Sequence, residues 1–554
     1  MQVLNWFHLS RKRGWFLGKY LTLLVCCCVL IISCGGRPKT EQAAAPNTNA
    51  GGSGRLVVGT TLKPRTLDPA DAYELAASNV LYSLGDRLYT YKLGTDELVP
   101  QLATKLPEVS KDGLTYKIPV RQGVVFHDGT PFDAQAMVFS LNRFIKNGGK
   151  PSSLLADIVQ SVEASSQYEL TLKLKRPFAP FPSLLAFSGM CAVSPKAYEI
   201  GASKFQPTKF VGTGPYKLVS FSANSLRLDV FDKYWGEKPP NQGLDYQILS
   251  SSANLFNSFR TGAVDLAYQT FEPDQITSLK SGEKSGGWQV VEAPSNNVSY
   301  MVLNTKQKPL DKVEVRQALA YMIDRKLLNE RVLRNQAQPA YSLIPTSFDA
   351  TKPSFETAYG DGNIAKAKEL LTKAGFTTAN PLKLEIWFPS GSAVRQQAAS
   401  TLREYAAQQL GGIVQLQPQP VEATTLFANI GKGIYQTALV DWYPDFSDAD
   451  NFIQPLVSCS KGSEAQGCEE GASKSQGSFY YSDRINKLIE QERAEQDPQK
   501  RKQIFAEIQD LLAKDVPLIP IWQPKEYAFA KKGLQQVKLD PIQQLPLWEI
   551  GKGA

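Results

Sequence analysis

The sequence predicts a mixed α/β protein with more than one structural unit. Its 554 residues are more than a single hydrophobic core usually organises. Segments with the apolar spacing of helices alternate with short apolar runs typical of strands, which indicates several sheets covered by helices. The content of 42% hydrophobic and 21% charged residues is ordinary for a globular protein, and we find no internal repeat.

The amino terminus has the pattern of a lipoprotein signal peptide, which we assign to residues 1–33. A basic start precedes Leu21 to Ile32, a run too short to span a bilayer comfortably but suited to the apolar part of a signal peptide. The next residues resemble a bacterial lipobox, so we expect lipid on Cys34. An uncleaved anchor helix is the alternative. Residues 34–54 contain no large apolar side chain, so we expect a flexible tether.

Folded sequence is expected from Arg55 onward. Apolar spacing on one face and end signals predict helices at 133–147, 315–328 and 363–374, and another opening at Asp497-Pro498. Gly375 stands where a helix-ending glycine is expected. Short apolar runs predict strands at 168–174, 226–230, 382–387, 413–416 and 437–440.

Charge and cysteine content agree with an exported protein that does not bind nucleic acid. Removing residues 1–33 removes four positive charges and no acids, so the mature charge is 8 − 4 = +4, and no basic cluster is interleaved with aromatic residues. Cys459 and Cys468 flank a polar stretch, SKGSEAQG. We expect a disulfide between them outside the cytoplasm, and two unpaired thiols are the alternative.

A catalytic site is not predicted. His127 is the one histidine of the mature chain, so a Ser-His or Cys-His arrangement would have to use it. Ser281 to Lys284 matches a Ser-x-x-Lys pattern, but the tract looks like a loop and the companion motifs are absent. A secreted hydrolase stays open as a rival interpretation that depends on His127. With one histidine, a transition-metal site is also not expected, and we predict no cofactor.

The stretch DWYPDFSDADNF, residues 441–452, concentrates four aspartates beside aromatic rings in a basic chain. It lacks the oxygen spacing and the glycine of a calcium loop. Trp442, Tyr443 and Phe446 supply apolar walls, among which an aspartate can pair with an organic ammonium group. Composition alone does not say which aspartate does so. A solvated acidic turn, with Asp448 capping a helix, is the alternative.

Seven separated stretches carry a resemblance to a known family. The stretches are TLKPRTLDPADAYE (61–74), LTYKIPVRQGVVFHDGTPFDAQAMVFSLNRF (114–144), VGTGPYKL (211–218), FDKYWGEKP (231–239), VRQALAYMIDRKLL (315–328), AKELLTKAGF (367–376) and DPQKRKQIFAEIQDLLAKDVPLIPIW (497–522). In this order they resemble segments of the solute-binding proteins of dipeptide, oligopeptide and nickel ABC importers, known as solute-binding protein family 5. The resemblance extends over about residues 55–540.

The resemblance implies a two-lobed periplasmic-binding-protein fold, class II-like and of cluster C, with an extra inserted subdomain and hinge strands between the lobes. We expect a main lobe made of three segments, one inserted subdomain and one second lobe. Their limits are 55–85, 205–295 and 520–554 for the main lobe, 86–204 for the subdomain and 296–519 for the second lobe, with hinges near 295–300 and 515–522.

The resemblance also implies which side chains meet the ligand. In peptide-binding members, the aspartate of a Trp-x-x-Asp element binds the peptide's ammonium group, and here that element is Trp442 to Asp445. Trp442 and Tyr443 would form walls. VRQQAASTLREY (394–405) resembles the helix whose first-turn arginine binds the carboxylate, so Arg395 is the candidate, with a solvated helix arginine as the alternative. No histidine is available for a nickel complex.

We therefore predict an extracytoplasmic lipoprotein, anchored to the membrane through Cys34, that captures short peptides by lobe closure. Its expected partners are a short peptide, an ABC permease and the permease's ATPase subunits, and we expect a monomer. The same fold binding an oligosaccharide, an opine or glutathione is the alternative, because aromatic pockets suit these ligands also.

Overall fold

The computed structural model describes residues 54–540 and 545–552, and the strands within them form five sheets. The strands, in chain order, are β1 (Leu56–Thr60), β2 (Tyr89–Tyr91), β3 (Leu98–Pro100), β4 (Glu108–Val109), β5 (Thr115–Pro119), β6 (Val159–Ser166), β7 (Glu169–Leu174), β8 (Tyr216–Phe221), β9 (Ser225–Val230), β10 (Leu244–Ile248), β11 (Leu266–Tyr268), β12 (Trp288–Pro294), β13 (Val298–Leu303), β14 (Ala337–Pro339), β15 (Leu382–Pro389), β16 (Val414–Val421), β17 (Thr437–Trp442), β18 (Lys461–Ser463), β19 (Gly467–Glu470), β20 (Leu518–Lys531), β21 (Leu534–Gln535) and β22 (Gly551–Lys552).

Helices lie between these strands throughout the described chain. They are α1 (Leu75–Leu84), α2 (Ala134–Lys146), α3 (Ser153–Ala156), α4 (Phe181–Leu184), α5 (Ser252–Thr261), α6 (Pro273–Ser281), α7 (Glu283–Gly286), α8 (Val313–Met322), α9 (Arg325–Arg331), α10 (Ser354–Tyr359), α11 (Ile364–Lys373), α12 (Ala393–Leu410), α13 (Ala423–Ile430), α14 (Gln454–Val457), α15 (Ala472–Ser475), α16 (Asp483–Ala494) and α17 (Pro498–Asp515), with 3₁₀ turns at Ser188–Met190 and Ala449–Phe452.

The largest of the five sheets is mixed and contains twelve strands. Its order is β16-β15-β17-β13-β20-β11-β1-β10-β9-β8, and β12 and β14 also pair with β20. The fourteen-residue strand β20 pairs through its first half with β13 and β14 and through its second half with β11 and β12. Strand β20 therefore joins two groups of strands. The neighbouring strand β13 is buried at all six positions, as expected for a strand covered on both faces.

Separate hydrophobic cores lie on the faces of this sheet. On one group of strands, one core includes residues of α1 and the other includes residues of α5 and α6. On the other group, one core includes residues of α8, α11 and α12 and the other includes residues of α14, α16 and α17. A further core forms between α2 and the four-stranded antiparallel sheet β4-β5-β7-β6. Asp133 caps α2 by accepting a hydrogen bond from the backbone N–H of Ala136 at 3.0 Å.

The stretches that carried the family resemblance near the amino terminus meet one another in the interior. Asp68 and Arg143 form a two-pronged ion pair at 2.7 Å, with both side chains buried. His127 donates through Nε2 to the carbonyl of Gly214 at 3.1 Å and accepts at Nδ1 from the N–H of Gly212 at 3.3 Å. Both ring nitrogens thus hold backbone. These residues serve the fold because their polar atoms are occupied by buried partners.

Two sequence-based expectations about helices are wrong. The segment 315–328 is not one helix: α8 ends at Met322 and α9 begins at Arg325, because Asp324 caps the second helix by accepting from the N–H of Leu327 at 2.9 Å. The tract around Ser281 is not a loop, since α6 ends at that residue and α7 follows at once. The Ser281 hydroxyl donates to the backbone carbonyls of Thr277 and Ser278.

The lobe limits that we gave from the sequence stay a prediction. The signal segment, the tether and Cys34 lie outside the described residues. Among the helices of residues 54–540 and 545–552, none combines the length and the apolar character that a membrane crossing requires.

Candidate functional site

A cavity of about 350 Å³ lies where α1 and its flanking residues face the loop that follows β17. Seven of its lining side chains are aromatic, namely Tyr73, Tyr82, Tyr91, Phe187, Trp442, Tyr443 and Phe446. The ionisable side chains other than tyrosine in the lining are Glu74, Asp441 and Asp445, so the described wall contains three carboxylates and no Lys, Arg or His. Such a wall favours a ligand that brings positive charge.

Asp445 holds its carboxylate at this cavity without a cationic partner. Its Oδ1 accepts a hydrogen bond from the hydroxyl of Tyr73 at 2.7 Å, and its backbone N–H donates to Oδ1 of Asn451 at 2.8 Å. Among the described residues no Lys, Arg or His forms an ion pair with it. Burial raises the pKa of the Asp445 carboxyl above its ordinary value. An ammonium group that enters the cavity would remove this cost.

An arginine of α17 holds the loop that carries Asp445. Arg501 of α17 donates to both oxygens of Asp448, at 2.8 and 2.6 Å, and to Glu492 at 2.8 Å. Asp448 also caps the 3₁₀ turn Ala449–Phe452 by accepting from the N–H of Asp450 at 2.8 Å. The charged groups behind the loop therefore hold it in one conformation.

Arg395 is placed in the first turn of α12, where its N–H donates to Oγ of Ser392 at 3.3 Å. It does not line the cavity; its guanidinium is bonded to the carboxylate of Asp441, which does. Asp441 also accepts from the Ser299 hydroxyl at 2.6 Å. Burial lowers the pKa of Arg395, and its Nε is buried without a hydrogen-bond partner among the described residues.

Trp442 and Tyr443 differ in their exposure. Trp442 packs against the core that contains residues of α16 and α17, and its Nε1 is buried without a described partner. Tyr443 is 49% exposed. Because that exposed surface faces the cavity while protein surrounds the rest of the ring, burial still raises the pKa of its hydroxyl to about 12. Both rings line the cavity, beside Asp445.

The remaining candidates lie away from the cavity lining. The structure joins Cys459 and Cys468 by a disulfide with an S–S distance of 2.03 Å, which links the segment just before β18 to β19. His127 is half-buried and both ring nitrogens are engaged by backbone, and removal of the ring from solvent lowers its pKa to about 4. Within the described residues, no group of three or more His, Cys, Asp or Glu side chains is arranged to hold a metal ion.

Sequence reasoning missed Tyr73, Asn451 and Asp441 as parts of the site. Tyr73 is 372 residues from Asp445, so no local pattern connects the two. Asp441 is the next-to-last residue of β17, and the register places it opposite Ser299 of β13. That pairing becomes visible only once the sheet order is known.

Comparison with known proteins relates the whole described chain to one group. A family model described as bacterial extracellular solute-binding proteins, family 5 Middle, matches residues 97–464. The chain is 27% identical to the dipeptide-binding protein of Escherichia coli over 508 residues, which are 86% of this chain and 90% of that protein. It is 28% identical to the glutathione-binding protein GsiB of Salmonella paratyphi A over 484 residues, 85% and 89% of the two chains.

A solved structure is similar over nearly its full length. The periplasmic binding protein DppA of Helicobacter pylori, associated with an ABC transporter and determined with the peptide STSA, superposes with a TM-score of 0.73 at 24% identity, covering 91% of this chain and 98% of that chain. The two chains therefore share a fold, and the two-lobed α/β architecture predicted from the sequence is confirmed.

Proposed function

The chain belongs to the bacterial extracellular solute-binding proteins of family 5, and we propose that it is the peptide-capturing component of an ABC importer. The single observation that carries this proposal is the Asp445 carboxylate, which faces the cavity, is held by Tyr73 and has no cation of its own among the described residues. The relative from Escherichia coli is named a dipeptide-binding protein. No chemistry on the ligand is part of the proposal.

The ammonium group of a short peptide pairs with Asp445. Burial makes this carboxylate costly when it stands alone, and the same low dielectric strengthens its attraction to an entering cation. A volume of about 350 Å³ is near the lower end of the range of roughly 300–1,000 Å³ found for ligand pockets, which favours a short peptide. Trp442 and Tyr443 then cover the ligand's apolar parts.

Arg395 remains our candidate for the carboxyl end of the peptide. Its guanidinium is already bonded to Asp441, so the ligand carboxylate either shares the fork with Asp441 or replaces it. Sharing is supported by the unpartnered Nε, because a guanidinium has five donors in one plane and can serve two carboxylates. An amidated peptide would lose this contact.

Lobe closure excludes water from the ion pairs and presents one shape to the permease and its ATPase subunits. Family membership places the protein outside the cytoplasm. We further propose that it acts as a monomer, without a cofactor, and that lipid on Cys34 anchors it to the membrane through the tether 34–54.

Glutathione is a second candidate ligand, because relatives are named for binding it. Glutathione also carries an ammonium group and so suits the same carboxylate. An opine or an oligosaccharide stays possible for the fold but uses this carboxylate less well when it lacks a positive charge.

The proposal is tested by calorimetric titration of the purified protein with alanyl-alanine, its N-acetylated form and its amidated form. We expect binding of the free dipeptide, and N-acetylation or the Asp445→Asn substitution should weaken it by a factor of about 100 or more, since one partner of a buried charge pair is lost. Asp232→Asn, at a side chain that is 91% exposed, is the matched control.

Native mass spectrometry of the protein as isolated identifies any retained ligand. A di- to pentapeptide agrees with the proposal, and retained glutathione selects the second candidate. If Asp445→Asn binds the free dipeptide as tightly as the unaltered protein, the proposed role of Asp445 is wrong.

A further inference from the structure

Glu526 is a second carboxylate without a partner among the described residues, and it lies on β20, outside the cavity lining itself. It is part of β20, opposite Ala293 of β12, just beyond the point where β20 changes its partners from β13 and β14 to β12 and β11. Side chains alternate between the two faces of a strand, so Glu526 shares a face with Ala528. Ala528 packs in the core that contains Ala77 and Val80 of α1, the helix whose other residues line the cavity.

The neighbours of Glu526 along the strand point to the opposite face and do not neutralise it. Lys525 donates through Nζ to Glu292 at 3.1 Å, and Tyr527 belongs to the core on that other face. Within residues 54–540 and 545–552, the Glu526 side chain forms neither a hydrogen bond nor an ion pair. Burial raises the pKa of its carboxyl to about 7, and its charge raises the pKa of Tyr443, which lines the cavity. The strand is also linked to the cavity by contacts: Asn79, which lines the cavity, donates to Oε1 of Gln269 at 2.9 Å, and the N–H of Gln269 donates to the carbonyl of Tyr527, the residue after Glu526.

Two of the three carboxylates that line the cavity have compensating partners. Asp441 is bonded to Arg395, and Glu74 accepts from the backbone N–H groups of Arg65 and Tyr73. Asp445 and Glu526 differ, because neither carboxylate is bonded to an arginine or to a backbone N–H group among the described residues. A ligand with one positive charge satisfies one of them and leaves the other buried and unpaired, which is costly.

We propose that Glu526 forms a second cation subsite of the cleft, so that the preferred cargo is a short peptide with a lysine or arginine side chain in addition to its terminal ammonium group. This inference rests on the proposed peptide-binding function and narrows its substrate class. Asp445 takes the ammonium end, Glu526 takes the side-chain cation, and the cavity wall, which contains no basic side chain of its own among the described residues, repels neither.

The test compares peptides that differ only in the charge of one side chain. Calorimetric titrations use alanyl-lysine against alanyl-norleucine and lysyl-alanine against norleucyl-alanine, since norleucine keeps the length of the lysine stem. At one of the two positions, lysine should bind at least about tenfold more tightly than norleucine, as expected for a desolvated charge pair. Equal binding of lysine and norleucine at both positions overturns the inference and leaves peptide capture intact.

Two variants locate the effect. Glu526→Gln should abolish the preference for lysine while norleucine peptides keep their affinity. Glu292→Gln is the matched control, because Glu292 lies on the neighbouring strand opposite Tyr527 and forms its ion pairs with Lys280 and Lys525 on the other face. A lysine preference that survives Glu526→Gln assigns the second charge elsewhere and overturns the inference.

The outcome of the proposed function can be distinguished from that of this inference. If no dipeptide binds and a non-peptide ligand is retained, the proposed function fails and the inference fails with it. If norleucine peptides bind and Asp445→Asn weakens them, the proposed function stands whichever way the lysine comparison turns out. The lysine and norleucine comparison uses the unaltered protein, so equal binding overturns the inference even if Glu526→Gln does not fold.

Discussion

The four aspartates of residues 441–452 act differently because each has a different partner. Three are paired with arginines and hold the loop, namely Asp441 with Arg395, Asp448 with Arg501 and Asp450 with Arg493. The fourth, Asp445, has the hydroxyl of Tyr73 and no described cation. A carboxylate with neutral hydrogen-bond donors and no compensating charge is the one prepared to bind a cationic ligand.

His127 provides a prediction about pH at the same scale. Its folded-state pKa of about 4 lies below the unfolded value of 6.5, because burial disfavours the imidazolium. The unfolded chain therefore binds more protons between these values. The stability that His127 contributes is complete above pH 6.5 and is lost as the pH falls towards 4.

The measurement is urea unfolding of the unaltered protein and of His127→Gln at about pH 7.5 and about pH 5. We expect the difference in free energy of unfolding to shrink by about 2 kcal/mol at the lower pH, since 1.5 pH units of the window are then used. Carboxyl groups shift both proteins equally and cancel in the difference. If the difference in free energy of unfolding between the two proteins is the same at both pH values, His127 is not held neutral in the folded state.

Composition alone could narrow the site to an aspartate among aromatic rings but not to one residue. The ion pairs that remove three aspartates from consideration join positions 43 to 53 residues apart, and periodicity says nothing about them. Asp445 was chosen through the Trp-x-x-Asp resemblance. Its partner Tyr73 lies in a different segment, and no sequence pattern predicted their contact.

At the scale of elements, the network behind the loop yields a prediction about Arg501. This guanidinium is shared by Asp448 and Glu492, and the side chains of the three residues are 15%, 11% and 0% exposed. Arg501→Met leaves two buried carboxylates without their cation. We expect a loss of about 3–5 kcal/mol in the free energy of unfolding, measured by urea titration, and weaker peptide binding because the Asp445 loop loosens.

Arg484→Met is the matched control for Arg501. Arg484 is a partner of Glu507 on the adjoining surface of α16 and α17, and the two side chains are 52% and 45% exposed. An exposed pair of this kind contributes only about 0–1 kcal/mol. If the two variants lose the same free energy of unfolding, the network of Arg501, Asp448 and Glu492 is not what holds the loop.

Element prediction succeeded where caps and periodicity agreed and failed where they competed. The helices α2, α11 and α17 begin after Asp133, Asn363 and Asp497, and each cap was visible in the sequence. The segment 315–328 kept an apolar spacing across Asp324, so one helix was predicted. Asp324 in fact starts a second helix, because its carboxylate satisfies backbone N–H groups that a continuous helix would bond internally.

At the scale of the whole molecule, net charge and cavity charge have opposite signs. The chain is formally +8, yet the described cavity wall holds carboxylates and no basic side chain. Glu74 is far in sequence from Asp441 and Asp445, and only the fold brings it to the same wall. The aspartates of residues 441–452 were visible in the sequence, but the addition of Glu74 and the lack of basic side chains in the described wall follow only from the fold. The two-lobed fold was predictable from the order of the family motifs.

Contacts across the cavity suggest what holds the two sides together. Phe446, next to Asp445, is 7% exposed and belongs to the core built around α2, where its ring lies 6.2 Å from that of Phe178. Tyr91 donates its hydroxyl to the carbonyl of Ser447 at 3.2 Å. The loop that carries Asp445 thus also packs against this core, so under the proposed function ligand binding would be coupled to closure.

We therefore expect Phe446→Ala to shift the protein towards open forms. Replacing a buried Phe by Ala removes roughly 3–5 kcal/mol of packing in a core, and even a part of this loss lowers the population of the closed form, on which the apparent affinity depends. Peptide affinity should fall on the order of 10- to 100-fold, mostly through faster dissociation. Stopped-flow fluorescence gives the rates, and small-angle scattering gives the radius of gyration with and without peptide.

Tyr91→Phe separates closure from a direct effect on Asp445. It keeps the ring and removes the hydroxyl that is bonded to Ser447 and Ser183, so a smaller loss of about fivefold in affinity is expected, again through dissociation. Phe427→Ala, at a ring that is 56% exposed, should change neither the rates nor the radius. If Phe446→Ala and Tyr91→Phe leave dissociation and the ligand-induced change in radius untouched, closure does not depend on these contacts, and the affinity must come from Asp445 and its neighbours alone.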